Sequence, residues 1–362
     1  MTAHPFLGVV LHSAGGFAAG SFYIPFKKVK RWAWETYWLV GGVSSWIIAP
    51  WVVGFLTCPG LVDVLRSAPG RAVLWSYVFG VLWGIGGLTF GLSMRYLGMS
   101  LGYALSLGFC SIFGTLVPPI AAGRWEDLLQ TASGRVTLLG IGVALAGIAV
   151  CGRAGIRKER EVSTEVKKAA VSEFNFVKGV WVAVFAGIMS SCMAFAFAAG
   201  KPIAEHAVAL GAPPVFQNFP VMIIALAGGF TTNFVWCLAL NIRNKTWRDY
   251  GGTVKATGGG RFERLPGGAL AVNYLFSTLA GITWYFQFFF YGMGTTQMGK
   301  YDFSSWTIHM AFIIVFSNIW GLAFREWRGS SGRTRRVILA GILILVASTV
   351  VIGLGNALAV AK

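Results

Sequence analysis

The sequence predicts an all-α integral membrane protein with ten transmembrane helices arranged as two inverted five-helix repeats. Three observations predict it: the composition, ten long apolar runs, and the placement of the basic residues between them. Hydrophobic residues make up 56% of the 362, charged residues only 12%, and the mean hydropathy is +0.66. A soluble core does not hide that much apolar surface.

A spanning helix needs about 20 mainly apolar residues. Runs of that kind fall at 3–26, 35–57, 72–95, 98–122, 136–152, 177–200, 213–241, 267–296, 301–324 and 334–358. The fifth is short, the seventh and eighth long. The first is closed by Lys27, Lys28, Lys30 and Arg31, which read as its cytoplasmic stop. No basic segment precedes it, so no cleaved leader is expected. Two longer polar connections, 153–176 and 242–266, read as flexible loops, the second rich in glycine.

Lysine and arginine test the count, because cytoplasmic connections carry the excess. Of the 30, 23 fall in the connections after spans 1, 3, 5, 7 and 9, and 7 on the other side. Both termini are therefore expected outside the cytoplasm. The net charge of +17 is a topology signal and not a nucleic-acid surface, since the charges sit in short gaps between apolar runs.

The connection 153–176, read as a cytoplasmic linker, divides the chain into a first five-helix repeat, 1–152, and a second, 177–362. An odd number of spans per half makes the halves opposite in orientation, the arithmetic of secondary transporters with a substrate site near the midplane.

The five cysteines show no CxxC or Cys/His spacing, so neither a disulfide nor a metal site is expected. No catalytic constellation appears, which argues against an intramembrane enzyme. The string GTTQMGK at 294–300 has phosphate-loop spacing, but Tyr301 stands where Ser or Thr is required. Gly80 and Gly84, Gly87 and Gly91, and Gly142 and Ala146 have the spacing of close helix packing.

Ionisable residues at membrane depth are functional candidates. His12, His309 and Gln287 each lie eight or nine residues from the outer end of their spans, roughly 12–14 Å down. Trp83 falls near the same level and Asn218 above it. Trp284, Gln287, Phe288 and Tyr291 share one helical face, as do Ser305 and His309. Aromatic rings with a few polar groups suit a sugar, whose C–H faces stack while its hydroxyls need partners. The plainer readings are a histidine bonded to a neighbouring helix and an aromatic packing face. No Asp or Glu is mid-span, so a proton-coupled protein would use His309 or His12. Glu35 and Asp302 sit at span ends as gating candidates, with Lys27 or Arg95 as their partners and solvated or capping charges as the alternative.

The runs FYIPFKKVKRWAWET (22–36), MRYLGMSLG (94–102), WYFQFFFYGMG (284–294) and YDFSSWTIHM (301–310) closely resemble the bacterial L-rhamnose-proton symporter family of the drug/metabolite transporter superfamily, over nearly the whole chain. The resemblance implies a multi-pass inner-membrane sugar symporter with periplasmic termini. Its substrates would be L-rhamnose or a similar sugar and the proton, with no cofactor besides that coupling ion, no nucleic-acid partner, and the lipid bilayer as surroundings. The histidines and glutamine of the family fall on His12, His309 and Gln287. In that frame Trp284, Trp83 and Tyr291 stack the sugar, while Gln287, Asn218 and a neutral histidine bond its hydroxyls. The glycine-rich stretch at 251–260 departs from the family pattern, as a cytoplasmic insertion expected not to touch specificity. An uncoupled facilitator or an exporter of another small polar metabolite stays open, as does a membrane sensor.

Overall fold

The computed structural model describes residues 3–97, 99–161, 175–256 and 261–361. The long helices are α1 (Pro5–Phe26), α2 (Trp34–Thr57), α3 (Gly70–Leu97), α4 (Met99–Ala121), α5 (Ala132–Glu161), α6 (Phe176–Ala199), α7 (Phe219–Asn244), α8 (Ala269–Gln297), α9 (Ser305–Ala323) and α10 (Gly332–Val360). Among the described residues nine stretches are long and apolar enough to cross a membrane. α8 has 29 residues but carries Asn273, Ser277, Gln287 and Gln297 along its length, all buried. The protein is thus an all-α integral membrane protein.

Local chemistry sets several helix ends. Asn175 caps α6 by accepting from the Lys178 amide, and Ser331 caps α10 by accepting from Thr334. Glu161 at the end of α5 accepts from the Ser331 amide (2.6 Å) and the Thr334 hydroxyl (2.7 Å), tying α5 to the start of α10. α2 contains a π-helical turn at Val43–Ile48, which turns Ser45 and Trp46 inward; such turns recur at functional sites.

The packing pairs helices across the two halves. α1 lies on α8 and α9; α6 lies on α3 and α4; α5 lies along α10; α2 meets α7 and α8, and α7 meets α3. The largest core cluster sits where α2, α3, α6, α7, α8 and α9 converge, around Trp46, Met193, Phe219, Met222, Phe288 and Trp306.

Three expectations change. The short fifth span is a 30-residue helix, because its periodic pattern continues through Cys151 and Ala154, both buried. Of the closely spaced glycines, Gly84 packs on α7 at Gly229 and Thr232, but a Cβ on Gly87, Gly91 or Gly142 would meet nothing within 4 Å. α5 instead approaches α10 through Gly140 and Gly147. The connection 242–266 is folded where described: a 3-10 turn at Thr246–Gly251 leads into β1 (Thr253–Lys255) paired antiparallel with β2 (Phe262–Arg264). Residues 162–174 of the linker and 257–260 lie outside the described residues.

Candidate transport site

α1, α8 and α9 bring the intramembrane polar residues together, and glycine makes the approach possible. A Cβ on Gly15 of α1 would lie 2.8 Å from the Gln287 carbonyl oxygen and 3.3 Å from the His309 ring. A Cβ on Gly294 of α8 would lie 2.7 Å from the His12 ring. Without side chains at these two points the backbones close up, as small residues allow in membranes, and both imidazoles are enclosed.

His12 and His309 are fully buried, with ring centroids 6.3 Å apart. Tyr291 lies between them, 5.4 Å from His12 and 5.2 Å from His309. None of the four imidazole nitrogens has a hydrogen-bond partner among the described residues, and neither do Gln287 Nε2 and Ser305 Oγ. Buried polar atoms are normally satisfied. Six donors and acceptors left open on α1, α8 and α9 make this cluster the candidate site.

The aromatic residues form two groups around this centre. Trp306 is fixed by donating from Nε1 to the Cys110 carbonyl (3.1 Å) and stands edge-on to Tyr291 at 5.6 Å. Two turns before Tyr291 on α8, Trp284 lies 5.6 Å from Trp83 of α3 and 5.6 Å from Trp46 of α2. Phe288 joins the groups, 5.2 Å from Trp284 and 6.2 Å from His309.

A cavity of about 310 Å³ opens beside Tyr291, bordered by Phe197, Lys201, Asn218, Thr295 and Asp302. Lys201 and Asp302 form an ion pair across its mouth (2.6 Å). Asn218 Nδ2 donates to the Gly292 carbonyl and to Thr295 Oγ1, both at 2.9 Å. The amide is therefore occupied in holding α8, and only its carbonyl oxygen is left for a ligand.

Thus His12, His309, Gln287 and Tyr291 converge, Trp83 and Trp284 form the adjoining group, and Asn218 lines the cavity. The gating residues find partners other than those expected. Glu35 is buried and accepts from Thr246 Oγ1 (2.8 Å) and Asn244 Nδ2 (2.9 Å), not from a lysine. Lys27 stands over the Phe324 ring at 3.8 Å. Asp302 takes Lys201, and the side chain of Arg95 lies outside the described residues. Sequence reasoning passed over Trp306, although it precedes His309 by three residues and shares its helical face. It also passed over Trp46, whose inward position depends on the π-helical turn and has no signal in spacing.

The family model described as L-rhamnose-proton symport protein matches residues 1–358. The chain belongs to the L-rhamnose-proton symport protein family. Among similar proteins is an L-rhamnose-proton symporter of Yersinia pestis (strain Pestoides F), 40% identical over 352 residues, covering 97% of this chain and 98% of the relative. Another is an L-rhamnose-proton symporter of Cronobacter sakazakii (strain ATCC BAA-894), with the same identity and coverage. The family is one of transporters and not of enzymes, in keeping with the absence of a catalytic constellation from the sequence.

Proposed function

We propose that this protein imports L-rhamnose, or a close deoxy sugar, together with a proton across the bacterial inner membrane. The observation that carries the proposal is the buried, unpartnered cluster of His12, His309 and Gln287 beside Tyr291, next to a cavity of about 310 Å³. A hexose needs stacking surfaces and hydroxyl partners at once. Tyr291, Trp284 and Trp83 provide the surfaces; Gln287, a neutral imidazole and the Asn218 carbonyl provide the partners. The other imidazole carries the proton.

The ten-span inverted repeat belongs to the same reading. α8, at 29 residues, is about 43 Å long at 1.5 Å per residue, enough to cross, and it is the tenth span. The helix contacts support two repeats, residues 1–152 and 177–362, exchanged by a twofold axis. Shifting every helix by five turns the contacts of α1 with α8 and α9 into those of α6 with α3 and α4, and leaves the α5–α10 pair unchanged. The basic connections then lie in the cytoplasm and both termini in the periplasm. Lys201 and Asp302 close the periplasmic mouth, and Glu35 lies in the cytoplasmic closure. Alternation between the two openings moves sugar and proton together, with no cofactor beyond the proton.

Sugar-induced alkalinisation outside inverted-free, sealed proteoliposomes tests the coupling. Proton entry on addition of L-rhamnose supports the symport; sugar movement without proton movement makes the protein a facilitator.

A further inference from the structure

The cytoplasmic connection between α1 and α2 is held by residues 205 or more positions away in sequence. Lys30 and Asn273 of α8 exchange two hydrogen bonds, the Lys30 amide to Asn273 Oδ1 (3.0 Å) and Asn273 Nδ2 to the Lys30 carbonyl (2.9 Å). Arg31, in the left-handed region at φ 67°, pairs with Glu263 of β2. Trp32 is buried edge-on against Tyr274 at 4.9 Å. The Ala33 amide donates to Asp249 Oδ2 (2.9 Å), and the Thr36 hydroxyl reaches the same oxygen (3.1 Å). The 3-10 turn carrying Asp249 and the strands β1 and β2 thus belong to a clasp on the first cytoplasmic connection.

At the centre of the clasp are two buried carboxylates and no paired cation. Asp249 is 2% exposed and Glu35 6% exposed. They are joined through Thr36, Asn241 and Thr246, and neither has an ion-pair partner among the described residues. The titratable groups facing them are Tyr37 of α2, Cys237 of α7, Tyr250 of the 3-10 turn, Lys255 of β1 and Tyr274 of α8. Two uncompensated charges in one enclosed site are costly, and a proton on one of them removes that cost.

We propose that Asp249 is a proton-binding site of the cytoplasmic closure, loaded while the clasp holds the 28–33 connection and emptied to cytoplasmic water when the clasp opens. Loading forms an O–H bond on the Asp249 carboxyl as an O–H bond of hydronium breaks; opening reverses the transfer and returns the proton to cytoplasmic water. Burial, and to a smaller extent Glu35, hold the Asp249 carboxyl above the usual carboxylate range, against the hydrogen bonds from Ala33 and Thr36 and the weaker pull of the Lys255 charge. The sign follows. The closed form binds more protons than the open form at pH values between the two carboxyl affinities, so raising cytoplasmic pH favours opening, by up to about tenfold per pH unit. In the symport reading, on which its role in transport rests, this couples proton release to inward opening.

Hydrogen–deuterium exchange over residues 28–36 of the purified full chain, measured across pH and corrected for intrinsic exchange, tests the site without any sugar. Protection should fall as pH rises in the wild type and stay high and flat in Asp249→Asn, which keeps the acceptor oxygen but not the charge. Glu35→Gln should move the fall to lower pH. Wild-type protection that does not change with pH, or an Asp249→Asn protein that follows the wild-type fall, overturns the proposal. Should the asparagine variant not fold, the wild-type series still decides it. Failure of L-rhamnose uptake with the pH-dependent exchange intact would count against the substrate reading and leave this site standing.

Discussion

His12 and His309 lie with their rings 6.3 Å apart at an interplanar angle of 61°, and Tyr291 contacts both. Two imidazolium charges at that spacing would repel by roughly 3 kcal/mol at an effective dielectric constant of about 20. Repulsion of that size limits the pair to at most one proton at a time, which leaves at least one ring neutral for hydrogen bonding.

His309→Gln should abolish accumulation driven by a proton gradient while sparing counterflow, which needs binding and alternation but no net proton movement. If His12 is the carrier, His12→Gln shows that pattern instead. Either way the expected stoichiometry is one proton per sugar, to be read from the voltage at which net flux reverses.

Trp284→Ala should weaken sugar binding by roughly tenfold, the equivalent of about 1.4 kcal/mol for a lost stacking surface. Trp284→Phe should recover part of it. Isothermal calorimetry of the wild type and both variants with L-rhamnose is the check.

Gly15→Ala should destabilise the protein by about 1–3 kcal/mol, because the new methyl group would meet the Gln287 carbonyl at 2.8 Å, and overpacking costs that much where backbone must move. Gly87→Ala, at a position with nothing within 4 Å, should be silent. Thermal melting of the two variants in detergent compares them directly.

Neutralising the Lys201–Asp302 pair with Asp302→Asn should change uptake by less than about fivefold, since partly exposed ion pairs contribute at most about 1 kcal/mol. The wild type should show a modest salt dependence of transport rate that the variant lacks.

The residues differ in how far sequence alone places them. That His12, His309 and Gln287 stand at matching heights on their helices was legible because a helix advances a fixed distance per residue, so counting from the span ends gives relative height. Their convergence was not, since it depends on Gly15 and Gly294 letting three helices meet. Glu35 illustrates the same limit: its partners Asn244 and Thr246 are 209 and 211 residues away, so sequence offered Lys27 or Arg95 as its partner instead. The glycine-rich connection read as flexible because glycine and charge dominate its composition. The order of its described residues comes from long-range contacts to Arg31, Trp32, Ala33 and Thr36, which composition does not register.

The central claim is tested most directly by uptake of labelled L-rhamnose into proteoliposomes with and without an inward proton gradient. The account predicts accumulation above the external concentration with the gradient and simple equilibration without it. Equal uptake in the two conditions would contradict proton coupling, and no uptake in either would contradict the substrate.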